Sequence, residues 1–155
     1  MNRMGRTKPT VSYDYVVGLT DGEGCFFVNM GNIPAYTSGV RVQMHFHIKM
    51  QERDFPLLEK VKNTLGCGVV YFQKEKRINH CQCYRYTVHS QKDIVNIIIP
   101  FFREHPLQSV SKKKSFEAFC KIARLMEKGA HLTRKGIKQI RLLKSQMNQK
   151  TVGLA

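Results

Sequence analysis

Residues 16–24 read VVGLTDGEG, a short apolar stretch that ends in two glycines four positions apart and two acidic residues. Gly18 and Gly22 share one face of a helix, and because they lack Cβ atoms they allow a second helix to approach backbone to backbone. Asp21 and Glu23 then lie where the two helices cross, just before a strand-like run begins. A buried helix with a C-terminal glycine turn would need no acid pair. The stretch therefore predicts an active site at a seam between two helices.

The composition predicts one basic, nucleic-acid-binding domain. A chain of 155 residues with 42% hydrophobic residues is long enough to bury about 70% of its unfolded surface. Lysine and arginine total 26 against 11 acidic residues, and the net charge of +15 favours a polyanionic partner. No apolar run approaches the roughly 20 residues of a membrane span, and no secretory signal is recognisable. We expect a single domain over residues 1–155, with a core of about 13–148, located in the cytoplasm or an organelle matrix.

The five cysteines form an odd set without a C-x-x-C pair. That pattern argues against a disulfide framework and against a zinc ribbon. We therefore expect free intracellular thiols.

The first half of the chain predicts a helix, a hairpin and a second helix. Ser12 is a suitable N-cap for a helix over residues 13–21, which strands over 25–32 and 39–50 follow. Apolar and polar residues alternate along the second strand, so one of its faces belongs to the core and the other is polar. Asp54 is placed to cap the next helix, which runs to about Leu65 and stops at Gly66.

The second half predicts another hairpin and three helices. Its strands cover residues 69–74 and 81–89, and Ser90 caps a helix through Ile99. Two basic helices follow after the loop at Pro106, and they cover residues 112–128 and 134–148. Their eleven basic residues form either a solvated face or a phosphate-binding surface.

The signature at residues 16–24 and the element order αββαββα resemble those of the LAGLIDADG homing endonucleases. The similarity covers about residues 13–148. It includes shorter stretches at residues 46–54, 57–60, 65–68, 84–86 and 131–133. The resemblance implies an α+β fold of that family, with an antiparallel DNA-binding sheet and extra C-terminal helices, in a single-motif, intron-encoded member.

The resemblance also implies a site-specific double-strand DNA endonuclease. Such an enzyme hydrolyses phosphodiesters across the minor groove of a long pseudo-palindromic site and leaves short 3′ overhangs. Each strand needs its own hydrolytic centre and this chain carries one signature, so we expect a homodimer. The predicted dimer interface consists of Val17, Gly18, Asp21 and Gly22.

Phosphodiester hydrolysis requires stabilised transition-state charge, an activated water and help for the leaving oxygen, all of which a divalent metal supplies. An oxygen-rich pocket that keeps several waters suits Mg²⁺. By resemblance, Glu23 is the metal-binding carboxylate and the Gly22 carbonyl is a second ligand. Asp21 is assigned a structural or orienting role.

Two further catalytic positions follow from the resemblance. A polar residue at the end of the second strand would hold the nucleophilic water. Met50 occupies the position that a gapless comparison selects, but it continues the apolar alternation, so we favour Gln51. A lysine before the first helix after the core would screen transition-state charge. We favour Lys112, with Lys113 and Lys114 as competitors.

The polar faces of the two hairpins are predicted to read the target, because a β-ribbon can enter the major groove and contact base edges. Arginine suits guanine and glutamine suits adenine. The candidate DNA-binding residues are Asn29, Arg41, Gln43, His45, His47, Lys49, Tyr71, Gln73, Arg85 and Thr87. Two alternatives stay open: a maturase that binds intron RNA with the same sheet, and a DNA-binding regulator without cleavage. Retention of Glu23 argues against the second alternative but not against the first.

Overall fold

The computed structural model describes residues 7–147. Its first six elements are two helices and two hairpins, namely α1 (Tyr13–Glu23), β1 (Gly24–Asn32), β2 (Val40–Gln51), α2 (Phe55–Leu65), β3 (Val69–Gln73) and β4 (Cys83–Val88). A short 3₁₀ turn, Glu52–Asp54, leads from β2 into α2. The remaining helices are α3 (Gln91–Asp93), α4 (Ile99–Glu104), α5 (Val110–Glu127) and α6 (Arg134–Met147). A π-helical stretch, Ile94–Ile98, joins α3 to α4.

The four strands form one antiparallel sheet in the order β1-β2-β4-β3. Cross-strand partners point to the same face of a sheet. Phe46 lies opposite Phe26 on one side and Val88 on the other, and all three are buried. This face packs against the helices, so the other face is free to carry polar residues. The predicted α+β fold and its αββαββα core are confirmed.

Phe26 is at the centre of the core. Its ring centroid lies 5.2 Å from that of Phe46, 5.6 Å from Phe102, 5.3 Å from Phe116 and 5.2 Å from Phe119. Aromatic pairs at such distances add to the free energy gained by burial. The cluster holds β1 and β2 against α4 and α5, and thereby fixes the C-terminal helices relative to the sheet.

The helix α1 begins and ends through local contacts. Ser12 Oγ accepts a hydrogen bond from the Tyr15 backbone N–H at 3.1 Å, as its predicted capping role requires. The helix continues two residues past the predicted end at residue 21 and includes Glu23. At Gly24 a Cβ would lie 2.6 Å from the Thr20 side chain and 2.8 Å from its carbonyl oxygen. Glycine is therefore needed for β1 to start directly behind Glu23.

Two further helix boundaries differ from the prediction. The helix capped by Ser90 does not end at Ile99, because α4 continues to Glu104 with Pro100 in its first turn. Pro100 costs the helix one hydrogen bond because it has no N–H, and the wider π turn that precedes it leaves room for its ring. The next helix begins at Val110 instead of residue 112, because Ser109 Oγ accepts from the Lys112 N–H and caps it.

Among residues 7–147, no helix combines the length and the apolar character that crossing a bilayer demands. The cysteines in this part of the chain are all free thiols, as predicted. Position 148, the predicted end of the last helix, lies outside the described residues.

Candidate active site and nucleic-acid interface

A cleft of about 660 Å³ lies at the end of the sheet where β1 begins and β2 ends. Glu23 at the end of α1 and Gln51 at the end of β2 both line it. Its other lining residues are Lys49, Met50, Asp54, Glu75, Arg77, Asn79, His80, Cys81 and Cys83. Glu23 and Gln51, the two candidates taken from the resemblance, therefore share one cleft although they are 28 positions apart in sequence.

Met50 and Gln51 point to opposite faces of β2. Met50 is half-buried and packs against the hydrophobic core. Gln51 is exposed and lies opposite Cys83 on the polar face. The amide of Gln51 can form a hydrogen bond with a water, whereas Met50 faces the core. The geometry therefore agrees with the choice of Gln51 over Met50. The water-orienting role of Gln51 stays a prediction.

Asp21 ties the signature helix to the start of α5. Its Oδ2 accepts from the Gln108 backbone N–H at 2.9 Å and its Oδ1 from the Ser109 N–H at 3.1 Å. Ser109 in turn caps α5 through the Lys112 N–H. Both carboxylate oxygens are thus used inside the chain, which is the geometry that an orienting role requires.

Lys112 lies in the first turn of α5 and is half-buried, not in the loop before the helix. Burial lowers the pKa of His47 and raises the pKa of the Cys25 thiol, and the charge of Lys112 adds to the first shift and opposes the second. Both side chains belong to the polar face. Lys113 and Lys114 are exposed. Asp21 therefore places Lys112 beside the strand that leads away from Glu23.

The ten predicted DNA-binding positions all lie on the polar face of the sheet. His47 is opposite Thr87, Lys49 is opposite Arg85, and Arg85 is opposite Tyr71 on the other side. The first hairpin contributes its share through pairs such as Asn29 with Gln43 and Gly31 with Arg41. Thr87 is only 8% exposed, which leaves little of it for a base contact.

Two polar atoms on this face are buried without a hydrogen-bond partner among residues 7–147: Gln73 Oε1 and Arg85 Nε. Buried polar groups normally have a partner, and the exceptions call for a ligand or a water. These side chains are diagonal neighbours across β3 and β4, since Gln73 pairs with Cys83 and Arg85 pairs with Tyr71. Both atoms are covered by the chain itself, so neither is accessible to an external ligand in this arrangement.

Sequence reasoning missed part of this face. Phe27 lies on it opposite His45, with 5.9 Å between the ring centroids. Lys144 of α6 places its Nζ 5.6 Å from the Phe27 ring centroid, within the range of a cation–π contact. The alternation of β1 would have placed Phe27 beside Asn29, but no sequence signal joins it to a helix that begins over 100 residues later. The last helix therefore adds positive charge at the outer edge of the sheet.

His47 is half-buried between Cys25 and Thr87. Burial, helped by the charges of Arg85, His45 and Lys112, lowers its pKa to about 4. The imidazole is therefore neutral at pH 7 and presents one hydrogen-bond donor and one acceptor.

This lowered pKa predicts a loss of stability in acid. The unfolded chain binds the His47 proton below about pH 6.5, whereas the folded chain does so only near pH 4. The contribution of neutral His47 to the free energy of unfolding is complete above pH 6.5 and falls as the pH drops toward 4. Urea unfolding at pH 7 and pH 5 gives the free energy of unfolding at each pH. Between the two, this free energy should fall by about 1–2 kcal/mol less in His47→Gln than in the wild type. Equal losses in the two proteins would contradict the assignment.

The outer face of α1 is open. A Cβ at Gly18 or Gly22 would have no atom of residues 7–147 within 4 Å beyond the helix itself. Tyr13 and Tyr15, on the same helix, are 54% and 46% exposed. Val17, in contrast, is 7% exposed and is mostly covered within its own chain. Gly18 and Gly22 thus leave room for a second helix, and Val17 has little surface left for it.

The predicted metal ligands, Glu23 and the Gly22 carbonyl, belong to two exposed residues at the end of α1. Residues 7–147 contain no group of three or more His, Cys, Asp and Glu side chains suited to hold a metal. A single carboxylate with a neighbouring carbonyl is compatible with Mg²⁺, which keeps waters and shares phosphate oxygens instead of filling a protein cage.

Known proteins are similar to this chain in sequence and in fold. The profile of the family described as LAGLIDADG endonuclease matches residues 16–123. A curated relative, "Probable intron-encoded endonuclease 3" of Neurospora crassa, is 34% identical over 131 residues, which are 83% of this chain and 23% of that protein. The crystal structure of the homing endonuclease I-TnaI has a TM-score of 0.79 at 32% identity, covering 92% of this chain and 91% of that chain. I-SmaMI bound to an uncleaved DNA target in the presence of calcium ions has a TM-score of 0.81 at 29% identity, covering 93% and 47%.

The chain spans about a quarter to a third of the length of the curated relatives it matches. The profile match covers more than half of the chain and includes the signature that opens its fold. The same fold, with the signature helix leading into a four-stranded antiparallel sheet, is shared with solved structures at about 30% identity. The chain belongs to the LAGLIDADG endonuclease family.

Proposed function

We propose that this protein is a site-specific, double-strand DNA endonuclease of the homing type, and that it acts as a homodimer with Mg²⁺. One observation carries the proposal: the cleft that contains Glu23 and Gln51 opens at the end of the sheet face that carries the ten candidate base-contacting positions. A hydrolytic centre therefore adjoins a surface suited to DNA. The chain's net charge of +15 supports a polyanionic partner.

The names of similar proteins support the same activity. The curated relative from Neurospora crassa is called an intron-encoded endonuclease, I-TnaI is called a homing endonuclease, and I-SmaMI was crystallised with a DNA target. Since this chain corresponds to a fraction of the curated relatives' length, we carry the activity over as a proposal. The intron-encoded origin, an intracellular location and intron RNA as a second partner stay predictions, as does a single domain over residues 1–155.

In this proposal, each candidate residue has one task. Glu23 and the Gly22 carbonyl would hold the metal, which when bound supplies Lewis-acid activation of water and phosphate. Gln51 orients the attacking water through its amide, on the polar side of the same cleft. Lys112 adds positive charge near the scissile phosphate, and Asp21 holds it there by capping the segment before α5.

A dimer would supply the second hydrolytic centre. The open space beside Gly18 and Gly22 allows two copies of α1 to cross closely, which brings the two Glu23 carboxylates together. Phosphates facing each other across a minor groove about 6 Å wide suit such a pair, and cuts placed across it leave 3′ overhangs. The two-fold symmetry of the dimer is then copied onto a pseudo-palindromic target.

The proposal is tested by selecting cleaved sites from a random or genomic DNA library in Mg²⁺. We expect a family of long sites with approximate two-fold symmetry, cut in both strands to leave 3′ ends that protrude. The same incubation in EDTA is the control and should give no cut products. Absence of cleavage with Mg²⁺, Mn²⁺ or Ca²⁺ would overturn the endonuclease proposal, and selective binding without cleavage would favour a DNA-binding regulator.

The sheet face and the C-terminal helix should contribute differently to binding. Arg41→Ala or Arg85→Ala should relax preference at one symmetric pair of target positions, with a loss of about 1–3 kcal/mol of discrimination for a bidentate contact. Lys138→Ala or Arg141→Ala in α6 should weaken binding to all sequences alike. The slope of log K against log salt should flatten by about one unit per lost phosphate contact, doubled in a dimer.

Base preference and salt slope measured on the same four variants test both parts of this division. If the sheet variants kept every base preference while a variant in α6 shifted one, the reading surface would have to be moved to the last helix.

A further inference from the structure

The loop between β3 and β4, residues 74–82, forms one wall of the cleft that contains Glu23. Neither the signature nor the strand alternation assigns this loop a role. It is also where an acidic side chain, Glu75, lies beside the basic polar face. An acid near DNA phosphates weakens binding unless it is paired, so the contacts of Glu75 indicate what it does.

Glu75 holds two cations. Its Oε1 accepts from the Arg77 backbone N–H at 3.2 Å and from Arg77 Nε at 3.2 Å, and its Oε2 accepts from Arg77 Nη2 at 3.3 Å. Lys49 Nζ of the polar face lies 3.5 Å from Glu75 Oε2. The hydrogen bonds from Arg77 lower the pKa of Glu75 to about 2, so the carboxylate is ionised wherever duplex DNA is stable.

The loop is anchored at its other end too. Gln82 Oε1 accepts from the Glu75 N–H at 2.9 Å, and the Gln82 carbonyl accepts from the Glu52 N–H at 2.8 Å. Glu52 directly follows Gln51, the candidate water-orienting residue. Both ends of the loop are therefore fixed next to the candidate active site, and the side chain of Arg77 is held in one orientation there.

The pairing leaves one edge of the guanidinium free. Glu75 occupies Nε and one hydrogen of Nη2, so Nη1 and the second Nη2 hydrogen remain as a two-donor fork. The Arg77 side chain is 69% exposed, so this fork is accessible. Two such donors match the O6 and N7 acceptors of guanine in the major groove. The Glu75 side chain is only 11% exposed, but its partner Arg77 is mostly in solvent, so the ion pair adds little stability and its main effect here is orientation.

We propose that Arg77 reads a guanine close to the centre of the DNA target and that Glu75 is the positioning residue for its guanidinium. The central location follows from the cleft that Arg77 shares with Glu23. The proposal rests on the DNA-binding part of the proposed function and not on cleavage.

The test uses the full chain and a target selected by binding in the absence of divalent metal, so that cleavage plays no part. Affinities are then measured for a panel of single-base variants of that target. Arg77→Ala and Arg77→Lys should each lose guanine preference at one symmetric pair of positions, by roughly 5- to 150-fold for a bidentate contact. Lys keeps the charge but not the fork. Lys76→Ala, from the same loop, is the matched control and should weaken all targets alike.

Glu75→Gln should reduce discrimination at that same pair while its melting temperature stays close to the wild-type value. The double variant Glu75→Gln/Arg77→Ala should discriminate no worse than Arg77→Ala alone, since Glu75 acts through Arg77. An equal loss on all targets in Arg77→Ala would show a phosphate contact and overturn the proposal. So would unchanged preference in Glu75→Gln, or wild-type binding without any base preference. Guanine-selective binding without cleavage would support it even if the endonuclease proposal failed.

Discussion

Replacing Glu23 with glutamine should abolish DNA cleavage and leave DNA binding intact. Glu23 is the exposed carboxylate at the end of α1 and lines the cleft beside Gln51. The amide keeps the size of the side chain but removes the charge that would hold a divalent metal. We expect the cleavage rate to fall by about 10³-fold or more, which corresponds to about 4 kcal/mol of transition-state stabilisation. The rate is measured on the selected target in Mg²⁺, and binding by gel shift without metal.

The matched control is Glu52→Gln, which makes the same chemical change at an exposed position just beyond β2. It should cleave within a few-fold of the wild type. Full nicking activity in Glu23→Gln would rule out Glu23 as the metal-binding carboxylate. A parallel loss of binding and cleavage would instead indicate that Glu23 contributes to docking.

Replacing Gly18 with leucine should weaken the proposed homodimer. Gly18 has open space where a Cβ would lie, so the Cβ of a leucine meets no atom of the described region beyond its own helix. Leucine is also the better helix former, by about 0.8–1 kcal/mol. The isolated subunit should therefore be at least as stable as before, and any loss must come from a partner. Overpacking typically costs about 1–3 kcal/mol at each copy, so the dissociation constant should rise by about 30-fold or more.

Analytical ultracentrifugation at micromolar concentration checks this result, with double-strand cleavage as the second readout. Gly18→Ala is the graded control and should weaken the dimer less than leucine, because a methyl group fills less of the open space beside the helix. Thermal unfolding confirms that the subunit itself is intact. A wild-type protein that sediments only as a monomer, or undiminished cleavage by Gly18→Leu, would contradict the predicted assembly.

Local patterns determined most of the elements from the sequence. Ser12 caps α1, and Gly66 ends α2 with a φ of +77°. Both boundaries depend on contacts within a few residues, so the residue types at these positions identify them. The alternation of β2 separates the two faces of the sheet because side chains of a strand point alternately to either side. The polar face of the sheet therefore followed from spacing, and its assignment to DNA followed from the net charge and the resemblance. The candidate metal-binding carboxylate and the candidate water-orienting residue, by contrast, came from resemblance to a family.

One boundary error, at the end of α4, arose where a tertiary contact outweighed a local rule. Pro100 predicts a helix end, yet α4 continues because the π turn accommodates the ring and Phe102 joins the buried aromatic cluster. Burial of such a ring against its neighbours compensates for one lost backbone hydrogen bond. The sequence of residues 91–104 does not reveal this packing, because the rings that Phe102 contacts include Phe26 and Phe116, which lie outside that stretch.

The sequence by itself determined the signature helix, the two hairpins, the polar sheet face and the positive charge, because each follows from a local period, a cap or a sum over residues. Only the tertiary structure decided which of these meet. Asp21 reaches the segment before α5 across 87 positions, and Glu75 joins Lys49 to Arg77 beside Glu23. Such contacts depend on strand register and on how the helices pack on the sheet, and those are fixed by the fit of the whole core and not by any short stretch of the chain.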